Sequence, residues 1–203
     1  MTEKKVRISI KSSMTDLMAA KNPDEGDIKK IMTTLGEEKI NLISLNSLTE
    51  RVLASLSEQN TEKVSFRTEG ILSFDEKTVS LSYNEDETSG MEGSVTRLVF
   101  NRDDRGMVSM IREGQVSSSL VFSDTDRRQL CMYDTGILPP FEICVYTRDI
   151  VNEINENGGY IELDYLIELR GVSMQYSHIR VEAEEQIEAQ KSSYVYEREY
   201  ETP

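Results

Sequence analysis

The sequence predicts a mainly β protein: an antiparallel barrel of about eight to ten strands, with a small two-helix insertion between strands one and two. Apolar and polar residues alternate through most of the chain from residue 64 onward. Turn-forming clusters at 75–77, 102–106 and 155–159 break these runs at short intervals. A meander of so many short strands closes more readily than it stays open, because closure removes the exposed edges.

The alternation predicts strands at 5–11, 63–72, 78–84, 94–101, 106–112, 115–122, 129–134, 141–147, 160–170 and 173–182. Val64, Phe66 and Thr68 share one face, and Ser65, Arg67 and Glu69 the other. Val79, Leu81 and Tyr83 repeat the pattern. It is clearest where Ile161, Leu163, Tyr165, Ile167 and Leu169 alternate with Glu162, Asp164, Leu166 and Glu168. Such a strand is buried on one side and wet on the other.

Residues 12–62 change period. Ile28, Ile31, Met32 and Leu35 follow i, i+3, i+4, i+7 spacing, with Asp27 placed to cap and Gly36 to stop a helix. Leu45, Leu48, Val52 and Leu56 form a second run, with Ser47 and Glu50 as a capping box. Two short amphipathic helices are expected, covering the outside of the barrel or its end. Residues 1–182 are read as one domain and 183–203 as an acidic, mobile tail.

Charge and composition narrow the function classes. The 203 residues carry 23 Lys and Arg against 37 Asp and Glu, a net charge of −14. That field repels nucleic-acid phosphates and anionic lipid head groups. No apolar run is long enough to span a bilayer, and the N-terminus alternates rather than forming a signal peptide's apolar stretch. The cytoplasm is therefore expected, with Cys131 and Cys144 as free thiols flanking a hairpin. Those two cysteines and one histidine, His178, do not make a conventional zinc site without carboxylates.

The stretch SYNEDETSGMEG, residues 82–93, is the strongest metal-loop candidate. A calcium loop begun at Asn84 needs glycine at position six and glutamate at position twelve. It finds Ser89 and Val95. Glu87 and Glu92 are acids in a chain rich in them, and no nucleophile elbow, dinucleotide fingerprint or phosphate loop is present. No catalytic residue, metal or cofactor is assigned.

What stands out is polarity on apolar faces. Arg112 continues the face of Val108 and Met110, Tyr133 that of Cys131, and Tyr83 that of Leu81. An inward arginine is costly unless paired, hydrated or bound to a ligand. Tyr83, Arg112, Tyr133 and Glu87 are accordingly the candidate ligand-binding residues.

FRTEG (66–70), TSGMEG within 81–100, MIREGQVSSSLVF (110–122), MYDTG (132–136), VYTRDI (145–150) and NENGGYIELDYLIEL (155–169) together resemble the bacterial YwiB-like family. VRISIKS at 6–12 fits that family's first strand. The resemblance implies a calycin-like, or lipocalin-like, barrel with no established activity. It also implies that SYNEDETSGMEG is a chain reversal between strands. Segment 12–62 and the acidic tail depart from the family pattern. By analogy with fatty-acid-binding barrels, two helices at that position form a lid.

The leading expectation is a non-enzymatic barrel that binds a small, partly apolar, anionic ligand. The alternatives are a filled barrel that contacts a protein partner through its insertion or tail, and an enzyme that uses Arg112 with Glu87 on an anionic substrate.

Overall fold

The computed structural model describes residues 2–17, 33, 61–169 and 173–186. Ten strands follow in order: β1 (Thr2–Asp16), β2 (Thr61–Phe74), β3 (Thr78–Asn84), β4 (Val95–Asn101), β5 (Asp104–Glu113), β6 (Ser117–Ser123), β7 (Arg128–Asp134), β8 (Phe141–Asn152), β9 (Gly158–Leu169) and β10 (Ser173–Glu185). Each pairs antiparallel with its neighbour in sequence, and β10 pairs with β1 to close the barrel. All ten predicted strands are present.

Register turns the alternation into layers. Phe74, Val79, Phe100, Val108 and Phe122 lie opposite one another across β2 to β6. Two residues along each strand, the next inward layer is Leu72, Leu81, Leu98, Met110 and Leu120. Every member of both layers is buried in the same core cluster. The third layer changes character: Gly70, Tyr83, Thr96, Arg112 and Ser118, continuing to Tyr133 and Phe141 on β7 and β8. On the opposite wall, β9 and β10 contribute Ile161 with Val181, Leu163 with Ile179, and Tyr165 with Ser177.

The two-helix expectation needs a boundary correction. Residues 12–16 belong to β1, and 61–62 to β2. Ser12, Ser13, Thr15 and Asp16 weaken the apolar signal, but pairing with β10 through Asp16, and with β2 through Thr15, carries the strand on. Apart from Thr33, which is helical, the predicted helices lie outside the described residues. β10 likewise runs past residue 182 to Glu185, and the remainder of the tail from 187 is outside the described residues. β8 continues to Asn152, beyond the expected 147, after a register shift between Thr147 and Asp149.

At the end carrying the 75–77, 102–103 and 153–157 turns, charged groups pin the loops. Arg105 Nη1 donates to the carbonyls of Asn152 (3.2 Å) and Ile154 (2.9 Å). Arg102 Nη2 meets Glu156 Oε1 at 2.8 Å, and its guanidinium lies over the Phe74 ring. Among the described residues, no helix is long and apolar enough to cross a membrane.

Candidate ligand-binding site

A cavity of about 390 Å³ occupies the other end of the barrel, where β1 stops and β2 begins. Arg112 and Tyr133 line it beside Met110, Leu120, Ile143 and Tyr165. Its size falls in the range of small-molecule sites, about 300–1,000 Å³.

Arg112 is at the centre of the polar layer and only 8% exposed. Its Nε donates to Thr96 Oγ1 (3.1 Å), and its Nη2 to Glu85 Oε1 (3.2 Å). Thr96 in turn donates to Glu85 Oε1 at 2.5 Å. The side chains of Arg112 and Glu85 are 9% and 4% exposed, so this ion pair is buried and linked by a shared threonine. Among the described residues, Nη1 of Arg112 has no acceptor. Ser118, which lies between Arg112 and Tyr133 on the same layer, is buried with no hydrogen-bond partner for its hydroxyl among the described residues.

The tyrosines complete the layer. Burial pushes the Tyr83 phenol well above its ordinary value; the Glu85 charge adds to this, while Arg112 and a hydrogen bond with Thr96 oppose it. Burial also raises Tyr165, against the pull of Arg112 and a hydrogen bond with Ser177. Tyr133 is half-buried, its ring 5.8 Å from that of Phe141. Three of the four candidates, Tyr83, Arg112 and Tyr133, thus share one register layer. Tyr83 stands behind the cavity wall with Thr96, while Arg112 and Tyr133 face the cavity.

Glu87 does not join them. It is exposed on a single 3-10 turn, Glu87–Ser89. The carboxylate that reaches Arg112 is Glu85. Its signal was present: it continues the inward alternation Leu81, Tyr83 one step past the end of β3. Asp86 caps the turn, accepting from Thr88 N (2.9 Å) and Ser89 N (3.3 Å), and Gly90 closes it with φ 69°. That left-handed geometry favours glycine. The acidic stretch is therefore a chain reversal, and no group of acids, cysteines and histidine among the described residues is arranged to hold a metal.

Cys131 and Cys144 are both buried and free. They sit on neighbouring strands, but Cys131 packs inside while Cys144 faces outward, and burial raises both thiols.

The family model described as a domain of unknown function (DUF1934) matches residues 52–181. The chain belongs to this family. The DUF1934 match runs from just before β2 into β10, so the cavity's polar layer lies within it, while β1 closes the barrel from outside the matched range. Among solved structures, the crystal structure of the ywiB protein from Bacillus subtilis is similar, with a TM-score of 0.59 and 17% identity. The match covers 91% of this chain and 94% of that one. At that identity the likeness shows the fold alone. No curated protein matches the chain.

Proposed function

We propose that this DUF1934 barrel binds a small, partly apolar molecule, with an acceptor or anionic head group at Arg112 and an apolar body against Met110, Leu120 and Ile143. One observation carries the reading: a nearly buried arginine, whose Nη1 has no acceptor among the described residues, lines a cavity that is otherwise largely apolar. A hydrogen bond from this charged donor to an incoming acceptor contributes about 1.5–3 kcal/mol. Glu85 already balances the Arg112 charge, so binding rests on hydrogen bonding and apolar burial more than on net charge. Such a role needs no catalytic group. Cytoplasmic placement fits the acidic surface and the two free thiols.

Native mass spectrometry of the protein purified from its own cells tests this. An extra mass that disappears on denaturation is expected. A Leu120→Trp variant, which fills the cavity from an inward wall position, is expected to lose that mass while retaining the β-sheet circular dichroism. A bare chain mass for the unaltered protein would overturn the reading.

A further inference from the structure

The outer wall near the cavity end is buried where an open barrel wall is wet. Tyr146 on β8 and Leu166 on β9 are register partners facing outward, yet they are 1% and 0% exposed. Beside them, Cys144 is 6% exposed, Met174 0% and Leu17 0%. None of the five belongs to the barrel's interior cluster. Leu17 reaches this patch through its N–H, which donates to Met174 O at 2.9 Å. These side chains form one apolar surface across β8, β9, β10 and the end of β1.

Apolar side chains that face outward become solvent-free only when other chain lies on them. The described connections all sit at one end of the barrel or the other, because each strand leads to its neighbour. Three stretches remain. Residues 170–172 are three positions between the end of β9 and the start of β10, too few to cover five side chains. The tail from 187 leaves after Glu185, which pairs with Val6 at the far end, roughly 35 Å along β10 from Met174. Segment 18–60 starts immediately after Leu17, inside the patch, and returns at Thr61 on the neighbouring strand. It also carries two apolar stripes at helical spacing, within 28–35 and 45–56.

We propose that segment 18–60 docks its apolar stripes on the outer wall formed by Cys144, Tyr146, Leu166, Met174 and Leu17. The family match begins at residue 52, so most of this segment lies outside the shared domain. The outer wall of this chain is thus a built receptor for its own insertion.

The two cysteines supply the test, because one reports the outer wall and the other the interior. In the full chain, N-ethylmaleimide labelling of Cys144 and Cys131 is followed separately by peptide mass. In an Ile31→Asp, Leu35→Asp variant, or in a Leu48→Asp, Val52→Asp variant, Cys144 labelling is expected to speed at least tenfold while Cys131 stays slow. No change at Cys144 in either variant overturns the proposal. If both thiols speed together, the barrel itself has opened, and zero-length carbodiimide cross-linking of the unaltered protein decides. Glu168, on the Cys144–Met174 layer, is expected to join Lys21, Lys29, Lys30 or Lys39 within one chain. Links only to Lys191 of the tail, only between copies, or no link at all overturn it.

Discussion

Between the 102–103 turn and the middle of the barrel, β2 to β6 fill the interior with phenylalanine, valine and leucine. Farther along, the same strands supply Gly70, Tyr83, Thr96, Arg112 and Ser118, and a cavity of about 390 Å³ opens beyond them. The hydrogen-bonded ladder is continuous through both halves, so backbone pairing does not distinguish them. The difference is in side chains alone. A layer of Phe and Leu closes by dispersion and burial. A layer containing Arg and Thr must first satisfy its polar atoms, and directional bonds leave space that apolar packing would consume. The filled half supplies stability, and the polar layer is where specificity is bought at its expense.

If that division is right, truncation in the filled half costs most. Phe122 is 0% exposed and its ring lies 4.8 Å from that of Tyr165. Phe122→Ala is expected to lower the urea-unfolding free energy by about 3–5 kcal/mol. Ser118→Ala, one turn of alternation away from Leu120, removes a hydroxyl that has no partner among the described residues and is expected to be neutral or slightly stabilising. Equal losses at the two positions would erase the distinction between the halves.

The polar layer is sharpened by comparing the loss of one member of the buried pair with the loss of both. Glu85→Ala strands the Arg112 charge in a buried site and is expected to cost about 3 kcal/mol. Glu85→Leu combined with Arg112→Met removes both charges and is expected to recover most of that loss, since a buried pair is dispensable when its members leave together. Ligand retention would be lost in the double variant even as the fold persists. Recovery of stability together with retained ligand would break the link between Arg112 and the cavity's function.

A third comparison runs through pH. Tyr83 and Tyr165 have raised phenol pKa values in the folded protein, mainly from burial. The folded state therefore holds these protons after the unfolded chain has begun to lose them. Their contribution is full below the unfolded value near pH 10 and falls as pH climbs above it toward the folded values. Each such tyrosine steepens the loss by about 1.4 kcal/mol per pH unit in that window. Denaturation series from pH 9 to 11.5 are expected to show this decline, and Tyr83→Phe to flatten it. An unchanged slope in the variant would mean that Tyr83 ionises without unfolding.

Much of this layering was legible in the sequence, and the limits have physical causes. Period-two alternation put Tyr83, Arg112 and Tyr133 on inward faces, and local turns kept sequential strands adjacent. The partner of Arg112 was harder to see because the connection from β3 to β4 is a long capped reversal, not a two-residue hairpin that fixes register. Glu87 lies in that reversal, whereas Glu85 still follows the strand's parity. The outer wall escaped for another reason. The run Ile143–Tyr146 is apolar at every position, the mark of a strand covered on both faces. Leu166, standing among Glu162, Asp164 and Glu168, repeats that signal on β9.

A smaller loss than at Glu85 is expected at the end where Arg102 pins the turns, and it tests whether charge matters there as it does around Arg112. Arg102 also has an acidic partner, Glu156 at 2.8 Å, but their side chains are 37% and 69% exposed. Its remaining contacts are the Asp75 carbonyl at 3.1 Å and the Phe74 ring. Water screens such a pair, so Arg102→Ala is expected to cost no more than about 1 kcal/mol, most of it from lost packing over Phe74. The contrast with Glu85→Ala is therefore burial, not pairing, since both positions have a partner within 3.2 Å. Repeating both measurements in high salt separates them further: the Arg102 loss should shrink as ions screen it, while the Glu85 loss should hardly move.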